Sequence, residues 1–134
     1  MHSTNYTDAF IAVADDCPAD AGSVPPAKPE PTIAQMQFEM IHKHPYEYTS
    51  DEVVFAIYAA RSGVEAADME AQRAAFFSKG QPCLRSSPLG KRYGWGIHFN
   101  DESKIALYAC ESEEYAQLSN DPALKQLKAM KSVR

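Results

Sequence analysis

The chain has 134 residues, 45% hydrophobic and 23% charged, with a formal net charge of −5, the profile of one globular domain long enough to bury its own core. No run approaches the ~18 apolar residues of a membrane span, and the first residues lack the basic start and apolar stretch of a signal peptide. The acidic balance argues against a general nucleic-acid binder, which presents a broad basic face.

Chain order begins with a short strand within residues 6–14, "YTDAFIAVA", apolar on both faces after Phe10 as a buried strand is. Residues 14–31 carry Pro18, Pro25, Pro26, Pro29 and Pro31, five of the nine prolines. Each fixes φ and removes an amide donor, so an extended connection is expected. Thr32 reads as the N-cap of the helix "IAQMQFEMIHKH", with Ile33, Met36, Met40 and Ile41 as its core stripe and Pro45 beyond its end. "TSDE" is a capping box, Thr49 answering an amide at Glu52 and Glu52 reaching back. The helix it opens carries Val53, Val54, Ile57, Tyr58 and Arg61 along one side and stops at Gly63. "EAADMEAQRAAFFSK" predicts a third helix, closed by Gly80.

Further on, "YGWGIHF" and "KIALYAC" are strand-like runs joined by the turn formers of "NDES", the signature of a β-hairpin. Trp95, Ile97 and Phe99 would share one face with Ile105, Leu107 and Ala109 opposite, and Gly94, Gly96 and His98 would share the other. "ESEEYAQLS" predicts a short acidic helix. For residues 123–132 periodicity does not choose: Leu124, Leu127 and Met130 fit a helix, while pairing as a strand would cover a sheet edge. Together these give an α+β domain over residues 1–134, three helices of the N-terminal half packed on a small, mainly antiparallel sheet that contains the C-terminal hairpin.

The charge is unevenly spread. Residues 71–100 hold Arg73, Lys79, Arg85, Lys91 and Arg92 and no acid, which leaves 8 basic and 18 acidic residues, −10, elsewhere. Gly80, Gly90, Gly94 and Gly96 fall in the same stretch, interrupted by Pro82 and Pro88. Such a loop lets backbone approach a ligand and holds it in a restricted shape. An anion site follows as the functional expectation. Arg85 and Arg92 offer planar forks, Lys91 adds charge, Ser86 and Ser87 orient, and Trp95 forms an apolar wall beside the bare strip of Gly94 and Gly96. The competing expectation is that the basic residues pair with acids elsewhere, Glu111, Glu113 and Glu114 foremost. Tyr93 and Trp95 beside Lys91 and Arg92 resemble a nucleic-acid stacking platform. The acidic remainder, however, repels a long polyanion while tolerating one small anionic group.

Cys17, Cys83 and Cys110 are odd in number and scattered, a poor disulfide framework that suits a reducing, cytoplasmic compartment. Cys83 lies between Lys79 and Arg85, which favour thiolate, and with His98 as base and Glu111 or Asp101 as orienter it is the candidate centre of a thiol-dependent enzyme or redox sensor. His42 and His44 are two apart and diverge on a helix, and no Cys-x-x-Cys is present, so neither a metal nor a cofactor is expected.

Nearly the whole chain resembles a bacterial family of small proteins of unknown function. The likeness rests on "MHSTNYTDAFIAVADDCP", "TIAQMQFEMI", "PYEYTSDEVVFAIYA", "ALYACESEEYAQL" and "KAMKS", and is strongest in "FFSKGQPCLRSSPLGKRYGWGIHF". It implies a bacterial, one-domain protein without accessory domains, and carries over no reaction, cofactor or catalytic residue.

The leading expectation is therefore a small cytoplasmic protein that binds an anionic ligand or an acidic partner surface through residues 78–98. The thiol chemistry of Cys83 with His98 is the alternative. A third expectation is a homo-oligomer whose basic stretch docks on a neighbour's acidic helix near residues 111–114.

Overall fold

The apolar run near the N-terminus forms β1 (Ala9–Ala12), in which Ala9, Phe10 and Ile11 are at most 1% exposed. In this computed structural model, which describes residues 1–132, β1 takes an inner place in a four-stranded sheet of order β3-β2-β1-β4. The hairpin supplies β2 (Trp95–Phe99) and β3 (Ile105–Ala109), with Trp95 opposite Ala109, Ile97 opposite Leu107 and Phe99 opposite Ile105, the register expected from the two apolar rows. β2 runs antiparallel to β1. Residues 123–132, which periodicity left open, contain β4 (Lys125–Lys128), parallel to β1. With two antiparallel pairings and one parallel, the sheet is mixed and mainly antiparallel.

Helices cover both faces. Thr32 caps α1 (Ile33–His42) by accepting from the Gln35 amide, and the Thr49–Glu52 capping box opens α2 (Ser50–Ser62), which ends on Gly63 at φ +66°. Only α1 and α2 lie wholly in the N-terminal half. The third helix, α3 (Met69–Phe76), follows a 3₁₀ turn at Ala66–Asp68 and stops before Gly80. Another 3₁₀ turn (Leu84–Ser86) and the short α4 (Pro88–Lys91) then lead into β2. α5 (Glu113–Ser119) is the acidic helix, capped by Ser112. No helix among the described residues is long and apolar enough to cross a membrane.

One sheet face, carrying Ala9, Ile11, Trp95, Ile97 and Phe99, packs with Phe38 and Ile41 of α1, Val53 and Ile57 of α2, and Leu84 and Leu89. Burial of each such large side chain contributes roughly 1.5–3 kcal/mol. The expected α1 stripe holds in part: Ile41 is buried and Met36 and Met40 pack partly buried against the core, but Ala34, Gln37 and Phe38 also turn inward while Ile33 is 42% exposed. On the other face Phe10 packs edge-on against Tyr115 of α5, ring centroids 5.1 Å apart.

Both sheet edges are managed. β4 shows exposed Lys125 and Lys128, charges that discourage further pairing. β3 is covered by the α1–α2 loop, where Tyr46 N donates to Ile105 O and Ile105 N to Tyr48 O. The N-terminal segment is tied to the start of α2. Thr4 N and Oγ1 donate to Asp51 Oδ1 at 2.6 and 2.7 Å, Ser3 Oγ donates to Asp51 Oδ2, and Asp51 N donates to Asn5 Oδ1.

Candidate functional site

The central stretch does not close around one ligand; it runs past three different surroundings. Arg85 turns toward β4: its Nε donates to Lys128 O at 2.7 Å, and its own carbonyl accepts from Met130 N. Ser86 donates to Cys83 O. Ser87, 2% exposed, caps α4 by accepting from Leu89 N and donates to Gln37 Oε1 at 2.6 Å. Trp95 is 8% exposed, lies under Phe38 and His42 of α1, and donates from Nε1 to Ser23 O. Ser86, Ser87 and Trp95 thus spend their polar groups on their own chain, and Trp95 is a core anchor rather than a ligand wall. The bare strip is filled in the same way: a Cβ at Gly96 would lie 2.5 Å from the Phe10 ring and 2.7 Å from Tyr115, and one at Gly94 (φ +81°) 2.5 Å from Ala21 O.

Arg92 has a different setting. It lines a cleft of about 380 Å³ with Lys28 of the proline-rich connection, Arg61 of α2, Tyr93 and the start of α1 at Thr32 and Ile33. No acid lines this cleft, and Lys28, Arg61 and Arg92 form no ion pair among the described residues. Lys91 lines neither this cleft nor its neighbour. The expected pairing with Glu111, Glu113 and Glu114 is also missing among the described residues: Glu111 accepts instead from Gly22 N at 2.8 Å. Three uncompensated cations at one opening attract an anion, and Arg61 and Arg92 bring forks shaped for carboxylate or phosphate.

A second cleft, about 430 Å³, adjoins the first through the shared residues Ile33, Arg61 and Pro88. Its walls are mainly apolar: Val54, Ile57 and Tyr58 of α2, Phe76 of α3, and Pro82 to Leu84. The side of α2 read from spacing therefore has two duties, Val53 and Ile57 entering the core and Val54, Ile57, Tyr58 and Arg61 facing the cleft.

Cys83 and His98 are not brought together. Cys83 lines the second cleft, and its Sγ lies 3.5 Å from Tyr6 Oη. That hydrogen bond, with burial, raises the Tyr6 pKa above 10.0. The Tyr6 ring packs on Phe99, on the sheet face that α1 and α2 cover. His98 projects from the opposite face, where its Nδ1 is 2.8 Å from Tyr46 Oη, which is 2.6 Å from Tyr108 Oη. Tyr46 reaches over the sheet edge from a left-handed backbone, φ +60°, a conformation a bulky residue holds only when its surroundings enforce it. Burial drives the His98 pKa below 6.5 against the opposing pull of Asp8 and Asp121, and burial with the Tyr108 hydrogen bond drives that of Tyr46 up. The cluster is a neutral network with its bonds made internally. Among the described residues no group of three or more His, Cys, Asp or Glu converges to hold a metal.

A family of unknown function, DUF6157, matches this sequence over residues 1–134, its full length. The chain belongs to the DUF6157 family. No curated protein and no solved structure matches it. For this DUF6157 protein the candidate site rests on its own geometry: of the ligand residues expected from sequence, Arg92 lines the basic cleft beside Lys28 and Arg61, while Ser86 and Ser87 line the adjoining one. Arg61 had a signal, since it ends an α2 stripe of Val54, Ile57 and Tyr58. Lys28 had none, because only the tertiary path of the connection sets its place.

Proposed function

We propose that this DUF6157 protein is a small cytoplasmic binding protein that holds an anionic group at the opening formed by Lys28, Arg61 and Arg92. The observation that carries this reading is a cleft with three cations, no acid in its lining and no ion pair made by those cations among the described residues. Its volume falls in the range of small-molecule sites. The three cysteines are free, which supports a reducing compartment.

The test is a thermal-shift screen against phosphate, sulfate, nucleotides and simple carboxylates. A ligand at ~100 times its dissociation constant adds ~2.7 kcal/mol of stability, which moves the midpoint of a domain this size by several degrees. The shift should vanish in Arg92→Ala and persist in Arg85→Ala, whose side chain is engaged with β4. A shift unchanged by Arg92→Ala removes the reading. Salt-sensitive self-association in light scattering, with no small-anion shift, would assign the opening to the acidic α5 of a second copy instead.

A further inference from the structure

Resting on the anion reading, we propose that the natural ligand is an amphipathic small acid. Its anionic head sits between Lys28, Arg61 and Arg92, and its hydrocarbon or aromatic body lies along α2 in the adjoining cleft.

The two clefts share Ile33, Arg61 and Pro88 as a common wall, so a molecule seated at the guanidinium of Arg61 meets both. Beyond Arg61 the surface changes character. Val54, Ile57, Tyr58 and Phe76 form the wall, and the large apolar residues Ile33 and Tyr58 stand 42% and 38% exposed there. The aromatic pair Tyr58–Phe76, ring centroids 4.5 Å apart, presents a continuous apolar surface beside the basic opening. An inorganic ion would leave that surface wet, and a neutral hydrocarbon would leave the three cations unanswered. A carboxylate with an apolar body answers both, and each methylene removed from water strengthens binding several-fold. Cys83 lines the apolar part, whereas Cys17 and Cys110 line neither cleft, so the protein carries its own reporter and two internal controls.

The experiment is calorimetric titration with acetate, hexanoate and octanoate, and with octyltrimethylammonium as the charge-reversed probe. Site-resolved alkylation of the three cysteines accompanies it. Octanoate should bind at least tenfold more tightly than acetate and slow alkylation of Cys83 without changing Cys17 or Cys110. Arg92→Ala should weaken octanoate about tenfold or more. Ile33→Asp should do the same while keeping the fold, because it puts a negative charge at the junction of the clefts and an acid at the first position of a helix, which that position favours. Tyr58→Ser should erase the advantage of octanoate and leave acetate unchanged.

Equal affinity for all three acids, lost in Arg92→Ala, would overturn the amphipathic ligand and leave the anion reading standing. Octyltrimethylammonium binding as tightly as octanoate would overturn both, whereas no binding by any carboxylate, with a phosphate or sulfate shift that Arg92→Ala removes, would overturn the amphipathic acid alone.

Discussion

Two polar regions of the molecule make opposite use of their groups. On the sheet face opposite α1 and α2, Tyr46, His98 and Tyr108 bond one another, and Gly96 is filled over by Phe10 and Tyr115. At the opening between α1 and α2, Lys28, Arg61 and Arg92 make no ion pair among the described residues, although the chain carries a net charge of −5 and has acids to spare. The first region is a neutral network completed by its own chain, and such a network fixes structure. The second is a field without an internal counter-charge, which draws its partner from outside. Polar density alone therefore does not mark a site; what distinguishes the two is whether the chain supplies a counter-charge, for Arg61 donates to Pro31 O at 3.5 Å but meets no acid among the described residues.

Breaking the closed side should cost stability. Gly96→Ala forces a methyl against the Phe10 and Tyr115 rings. Chemical denaturation should register a loss of about 3 kcal/mol, the upper range for overpacking; a loss near zero would mean the strip is looser than the contacts imply. Tyr46→Phe leaves His98 Nδ1 and Tyr108 Oη without their shared partner. The same measurement should show about 1–2 kcal/mol, since the groups are only partly buried.

Acid gives a smaller effect. Burial holds the His98 pKa below its ordinary 6.5, so the unfolded chain binds the proton more readily. The contribution of His98 is complete above about pH 6.5 and is lost as pH falls through its folded value. Midpoints should therefore decline below that pH. They should decline less in His98→Gln, whose amide oxygen still accepts from Tyr46; equal slopes would detach His98 from the acid response. The smallest effect belongs to the open side. Arg61→Ala and Arg92→Ala should each stay within about 0.5 kcal/mol of the parent, as surface changes away from packed groups do. A larger loss by denaturation would show that these cations answer the fold after all.

The features legible in the sequence are those set by local chemistry. Thr32, the Thr49–Glu52 box, Gly63 and the Asn100–Ser103 turn each settle hydrogen bonds within a few residues, so short patterns reveal them. Ile33 misled because a residue at the first turn of a helix can satisfy the apolar spacing and still sit at a cleft mouth, outside the core. β4 was undecided because its state depends on β1, far away in sequence. The charge of 71–100 was legible as a quantity but not as a place. Arg85 and Arg92 are neighbours in sequence, yet one straps β4 and the other opens on the cleft. Lys28 and Tyr46 owe their positions wholly to the path of the chain around the sheet.

The inner place of β1 also sets a timetable. Ala9 pairs with Phe99 on one side and with Lys125 on the other. A ribosome adding ~5–20 residues per second needs on the order of ten seconds between making Ala9 and making Phe99. Throughout that interval the strand "AFIA" exists with neither hydrogen-bonding neighbour, an apolar edge open to other nascent chains. The yield of folded protein in the cell should therefore depend on translation speed and on chaperones that shield short apolar segments, even where the finished sheet is fully stable.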